Sequence, residues 1–153
     1  MVAEIRALVE GYGIDHLNFA DDVFTLHRAK TERLLDRLST AEIGRPWSFT
    51  CATRVDLVDE ALLERLSAAG CTGVQFGVEA GSDPILERIG KGVTTAEIQS
   101  TVEQAVAAGL DVLAAFMFPH PADTAETIRS QIEFMNELHA LGAQLDVDEL
   151  YDA

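Results

Sequence analysis

Short apolar runs alternating with segments of helical period constrain this chain more than any other feature. The runs fall at residues 16–20, 47–51, 73–78 and 112–118. Each is rich in β-branched or aromatic residues and bounded by Gly, Pro or a polar turn, which predicts four strands. The segments between them carry apolar residues at helical spacing. Leu34, Leu35 and Leu38 share one face, as do Leu62, Leu66 and Ala69, with Gly70 at a C-cap position. Ile98, Val102, Ala105 and Val106 form a third stripe, opened by the capping box Thr94-x-x-Glu97 and closed by Gly109. Asp123-x-x-Glu126 and Thr124 open a further helix whose predicted buried stripe is Ile128, Ile132 and Met135, with Gly142 after it. Ile5, Leu8 and Val9 mark a helix ahead of the first strand. A short helix starts at Pro84, capped by Ser82 or Asp83.

Strand–helix alternation of this kind implies an α/β fold of parallel β/α units with right-handed crossovers. An open doubly wound sheet and a barrel both satisfy it. The 153 residues are expected to form one domain. No apolar run approaches the roughly 20 residues of a membrane span. Residues 1–4 lack the basic-then-apolar layout of a secretory leader, so the expected location is cytoplasmic. The formal net charge of −15 repels phosphate backbones and anionic lipid, which argues against nucleic acid or a membrane as partner. The two cysteines, Cys51 and Cys71, are expected to be free core thiols.

In parallel α/β folds, ligands bind at the C-terminal ends of the strands. That places the candidate site at Asp21, Asp22, Arg54, Glu79, Ser82, Pro119 and His120. Paired acids at Asp21-Asp22 suit a cation or an ammonium group, or a helix-capping turn. Arg54 suits a carboxylate, or a surface pair with Asp56 or Asp59. Glu79 ends an apolar strand between Gly77 and Gly81, where a carboxylate beside exposed backbone amides suits the vicinal hydroxyls of a ribose. His120 is a single histidine with no metal spacing to His16, His27 or His139. No Ser-His-Asp grouping, P-loop or Gly-x-Gly-x-x-Gly motif is present.

Five motifs come in a fixed order. They are Phe19-Ala20-Asp21-Asp22-Val23-Phe24-Thr25, Arg54-Val55-Asp56, Gly77-Val78-Glu79-Ala80-Gly81-Ser82, Ile89-Gly90-Lys91-Gly92, and Phe118-Pro119-x-Pro121-x-Asp123-Thr124. In this order they resemble the radical SAM superfamily, most closely the branch whose members often carry a cobalamin-binding domain ahead of the core. The resemblance spans residues 14–142.

It implies part of a (β/α) TIM-like barrel binding S-adenosylmethionine and a [4Fe–4S] cluster. The cluster would cleave the ligand to a 5′-deoxyadenosyl radical. By position, Asp21 and Asp22 correspond to the hold on the methionine amino group. Glu79 and Ser82 correspond to contacts with the ribose or the methionine end, and Arg54 to a recurrent basic position. Residues 116–119, with Phe118 and Pro119, correspond to the adenine-lining strand and turn. Cobalamin is implied for full-length relatives.

The departure from the family is the cluster motif. Cys-x-x-x-Cys-x-x-Cys is absent and no cysteine precedes Cys51, so no metal ligands are assigned. The expectation is therefore a single incomplete barrel domain over residues 1–153, short of the roughly 200 residues of a small full barrel. Alone it is expected to be inactive, holding a small-molecule ligand and pairing with a complementing chain or with itself through open strand edges. Two further readings are a non-catalytic scaffold or interaction remnant, and a half-barrel enzyme binding a phosphorylated small molecule at residues 77–82 and the helix after them.

Overall fold

The computed structural model describes residues 1–149. The chain opens with α1 (Val2–Arg6), which runs on through a wider π-turn at Ala7–Gly11. Then follow β1 (His16–Phe19), α2 (Arg28–Ser39), β2 (Ser48–Thr53), a 3₁₀ turn at Val55–Leu57, α3 (Glu60–Ala68) and β3 (Cys71–Glu79). Next come α4 (Asp83–Arg88), α5 (Thr95–Ala107), β4 (Asp111–Met117), α6 (Ala125–Ala140) and β5 (Gln144–Asp148).

All five strands are parallel and lie in the order β1-β2-β3-β4-β5. That order resolves the choice left open by the sequence. A doubly wound sheet reverses its strand order at a switch point, whereas here every strand pairs with its sequence neighbour, as on the arc of a barrel. Repeated right-handed crossovers in one direction put the helices on one side. The core accordingly joins Phe49, Cys51, Val74, Phe76, Val112, Ala114 and Phe116 of the sheet to Leu35, Leu62, Leu66, Ile98, Val102 and Leu138 of the helices. The alternate strand residues Asn18, Thr50, Gln75 and Gln144 face the other way, and all but the half-buried Thr50 are exposed.

Five strands replace the four expected. β5, with the sequence QLDVD, was visible only as an apolar alternation at Leu145 and Val147, because three of its five residues are polar and exposed on an outer edge. β2 extends to Thr53, where the buried Thr25 and Thr53 hydroxyls meet in a hydrogen bond.

The stripe of α6 is also shifted. Gln131, Phe134 and Leu138 are buried, Ile132 is exposed, and Ile128 and Met135 are half-buried. Neighbouring helical positions differ by about 100°, so Phe134 rather than Ile132 faces the sheet and closes over Gly81. Thr124 is the N-cap as expected, but it forms its box with Thr127, not through Asp123 and Glu126. The Thr94–Glu97 box on α5 is formed as expected. Among the described residues no helix is long and apolar enough to cross a membrane.

Candidate functional site

The C-terminal ends of β1 to β4 surround a cavity of about 540 Å³. This lies within the 300–1,000 Å³ range of small-molecule sites. Asp21 and Asp22 reach its rim from the turn after β1, Arg54 from the end of β2 and Glu79 from the end of β3. Phe116 and Met117 form the wall from β4, and Lys91 enters from the loop after α4.

Glu79 is held in an unusual way. Its φ is +71°, the left-handed region that non-glycine residues seldom occupy. The Ala80 N–H donates to the Val78 carbonyl at 2.9 Å, closing a γ-turn of the strained hand. The conformation costs about 1–2 kcal/mol relative to right-handed backbone. It coincides with a register shift between Gly77 and Glu79 against β4. The side chain folds back over Gly77, where a Cβ would lie 2.8 Å from Glu79 Oε1. Gly77 thus leaves room for the carboxylate where it lies, over the sheet rather than past its edge.

The two cations of the cavity already have partners. Lys91 Nζ donates to Glu79 Oε1 at 3.3 Å, with a side chain only 10% exposed. Arg54 forms a two-point pair with Asp56 at 2.8 and 3.0 Å, and its Nη2 also donates to the Lys91 carbonyl at 3.0 Å. This ties the Gly90-Lys91-Gly92 loop to the tip of β2. The Arg54 guanidinium holds the Asp56 carboxyl below its ordinary range, against a smaller opposing effect of burial. The same bond raises Arg54. Asp59, the other partner foreseen for Arg54, pairs with Arg28 instead. Asp21 and Asp22 make no side-chain hydrogen bond or ion pair among the described residues and are exposed. The uncompensated charge at the cavity is therefore negative, which favours a cationic group there.

The structure brings together Asp21, Asp22, Arg54 and Glu79 around this cavity. It leaves four of the foreseen residues, Ser82, Phe118, Pro119 and His120, outside it. Ser82 is 5% exposed and its carbonyl takes up the first N–H groups of α4, so it faces the protein interior. Phe118 is half-buried and does not line the cavity, its backbone N–H donating to the Asp148 carbonyl, and Pro119 is exposed. Phe116 and Met117 form that wall in their place. His120 is buried, and its Nε2 lies 3.2 Å from the Glu79 carbonyl oxygen, not on the cavity. Sequence reasoning gave no role to Asn18 and Gln75 on the concave face. Their signal was a polar residue at the inward position of an otherwise apolar run.

The donors for a [4Fe–4S] cluster do not fit. Cys51 and Cys71 are both buried on strands within the core, and Cys71 Sγ donates to the Gly73 carbonyl at 3.3 Å. The neighbouring Cys71 sulfur, with burial, pushes the Cys51 thiol up, away from the thiolate a cluster needs. Among the described residues no three His, Cys, Asp or Glu side chains are grouped to hold a metal ion.

A model of the radical SAM superfamily matches residues 1–135. An uncharacterized methyltransferase of Pyrococcus horikoshii is 33% identical over 152 residues, covering 99% of this chain and 32% of that protein. The cytidylyl-2-hydroxyethylphosphonate methyltransferase of Streptomyces wedmorensis is 28% identical over 122 residues, 79% of this chain and 22% of that protein. The solved structure of a radical S-adenosylmethionine methyltransferase, TsrM from Kitasatospora setae, with cobalamin and a [4Fe-4S] cluster bound, shares the fold. Its TM-score is 0.83 at 22% identity, over 97% of this chain and 30% of that one. The cobalamin-dependent S-adenosylmethionine radical enzyme OxsB matches with a TM-score of 0.78 at 20% identity, over 96% of this chain and 22% of that one. The chain thus spans about a third or less of the length of these proteins.

Proposed function

The chain belongs to the radical SAM superfamily, and from that premise we propose that its cavity binds S-adenosylmethionine, as the ligand-holding arc of a core that serves methyl transfer. One observation carries the reading. The tips of three neighbouring strands present Asp21-Asp22, Arg54 and the Glu79–Lys91 pair around a single cavity of about 540 Å³. The ligand carries a sulfonium and an ammonium cation, a carboxylate and a pair of ribose hydroxyls. The free carboxylates of Asp21 and Asp22 suit the ammonium group. Arg54 Nη1, which makes no hydrogen bond among the described residues, suits the carboxylate. Glu79 suits hydrogen bonds from the hydroxyls, and Lys91 orients it.

These residues do not fit a cluster, so no cleavage step is assigned to them. Their work is binding and orientation. A cluster that supplied the electron would need thiolate ligands other than the two buried cysteines of this chain. The names of the relatives, which are methyltransferases, favour methyl transfer as the overall reaction.

Titration calorimetry with S-adenosylhomocysteine, which lacks the reactive methyl, tests the binding. The full chain is expected to give saturable heat, and Asp21→Asn with Asp22→Asn is expected to weaken it about tenfold or more. Absence of heat at ligand concentrations in the millimolar range would overturn the reading.

A further inference from the structure

We propose that Gln131 and His120 are positioning residues that clamp the strained turn after β3 and so hold the Glu79 carboxylate over the cavity. Three hydrogen bonds meet on residues 78–81, around one strained residue. Glu79 takes the left-handed conformation, at φ +71°. Its carbonyl lies 3.2 Å from His120 Nε2, which donates to it in the tautomer protonated there. Two residues on, the Gly81 N–H donates to Gln131 Oε1 at 2.8 Å. Between them, Ala80 N–H closes the γ-turn onto Val78. The strained residue is thus gripped on both sides from outside its own strand, once from the loop after β4 and once from α6.

Each grip is itself fixed. The His120 N–H donates to Asp123 Oδ2 at 2.7 Å, and the other oxygen of Asp123 accepts the Thr127 hydroxyl at 2.8 Å. Gln131 is 1% exposed and packed so near that a Cβ on Gly81 would meet its Cα at 3.1 Å. Its amide orientation is set by the Gly81 N–H, which needs an acceptor.

The character of Gln131 supports the assignment. Among the described residues its Nε2 has no hydrogen-bond partner although it is buried. A buried, unpaired amide donor destabilises a fold, and an apolar residue of similar size would avoid it. The one contact that accounts for a glutamine at this place is the acceptor it gives to Gly81. A strained residue whose surroundings over-determine it is the arrangement expected where a side chain must be aimed. Here the aimed side chain is Glu79, lying over Gly77 and against Lys91.

The clamp is independent of which ligand the cavity takes. Its effect on affinity rests on the reading of the cavity given above. The test uses the full chain with four substitutions and two readouts. Gln131→Leu and His120→Ala each remove one grip. Gln131→Glu keeps an oxygen acceptor for Gly81, and His120→Gln keeps a donor for the Glu79 carbonyl.

In amide NMR the Gly81 N–H signal is expected to move upfield in Gln131→Leu and to stay near its place in Gln131→Glu. In calorimetry each removal is expected to weaken S-adenosylhomocysteine about tenfold, and each conservative change to restore it to within about threefold. An unmoved Gly81 signal in Gln131→Leu overturns the clamp, as does an affinity equal to that of the unaltered chain. If the unaltered chain binds no S-adenosylhomocysteine, the reading of the cavity fails while the Gly81 signal still decides the clamp.

A thermal cycle covers variants that fold poorly. In a Glu79→Gly background the left-handed turn needs no outside hold, so Gln131→Leu is expected to lower the melting temperature by less than half as much as it does beside Glu79. Equal losses in the two backgrounds would reduce Gln131 to packing and overturn the proposal.

Discussion

Gly77→Ala separates the two jobs of β3. A methyl group at this position would sit 2.8 Å from Glu79 Oε1 and 3.4 Å from Lys91 Nζ, with no backbone atom among its three nearest neighbours. Both neighbours are the ends of flexible side chains, so each can swing aside. The stability terms are small and opposed. Glycine inside a strand is worse than alanine by about 0.5–1 kcal/mol through chain entropy. Loosening the Glu79–Lys91 pair, one side of which is 31% exposed, costs at most about 1 kcal/mol after solvent screening. The net change is therefore expected to stay within about 1 kcal/mol, which for a chain of this size is a melting shift of no more than roughly 4 °C.

Binding should respond very differently. The new methyl occupies the cavity floor, and the Glu79 carboxylate must leave the place where Gly77 admits it. S-adenosylhomocysteine affinity is expected to fall about tenfold or more. Thermal melting and calorimetry on the same preparation give both numbers. A loss of more than about 3 kcal/mol in stability would show that the contact is with something that cannot move. Unchanged stability with unchanged affinity would show that ligand does not occupy the floor of this cavity.

Gly81→Ala should behave in the opposite sense, because its Cβ would lie 3.0 Å from Phe134 Cβ and 3.1 Å from the Gln131 Cα, atoms fixed to α6. A destabilisation of about 1–3 kcal/mol is expected in denaturant melts, and a change within 0.3 kcal/mol or so would refute the packing. Acid lowers stability through Asp56 and Asp59, whose carboxyls Arg54 and Arg28 hold below the ordinary range. A depressed folded pKa contributes stability above the unfolded value and loses it as pH falls through the folded one. The Asp56→Asn, Asp59→Asn double variant should therefore show a flatter stability curve below about pH 4, and an identical slope would contradict the pairing. Anaerobic reconstitution with iron and sulfide should leave the 153-residue chain without a cluster absorption band, since its two thiols are buried in separate strands. A brown product would contradict this account of the cysteines.

Strand identity was legible wherever a run was apolar on both faces or carried β-branched and aromatic residues, as in Val112–Phe116. It faded at β5, where Gln144, Asp146 and Asp148 alternate with Leu145 and Val147 on an outer edge. Asp21, Asp22, Arg54 and Glu79 could be placed at strand tips because a charge that ends an apolar run has few other places to go. Which tips share a cavity depends on strand order, and alternation alone does not encode it. Gln131 was hidden for a different reason. Its neighbours Ile128, Ile132 and Met135 offered a more apolar stripe, and the rotation of α6 is set by Gly81, fifty residues earlier in the chain, which leaves room for Phe134. Ser82 and Phe118 do not line the cavity, because a motif position says only that a residue is near a site, whereas the side chain points wherever the local turn directs it.

The concave face explains why the first three runs read as strands with a polar flaw in each. A closed barrel of this class packs its interior with layers of Val, Ile and Leu. Here the inward positions include Asn18, Thr50 and Gln75, joined at one end by His16 through Ser48 and Thr50. These cannot form a dry layer, since each amide or hydroxyl buried without a partner would cost a few kcal/mol. The sheet is therefore stabilised from its helical side alone, where Phe49, Phe76 and Phe116 are all but fully enclosed. Its other face is left as a polar surface running up to the strand tips. A strand–helix arc built this way can keep its fold while its concave side is given over to a ligand, and the residues that aim Glu79 from behind the sheet belong to the stabilised layer rather than to the cavity they serve.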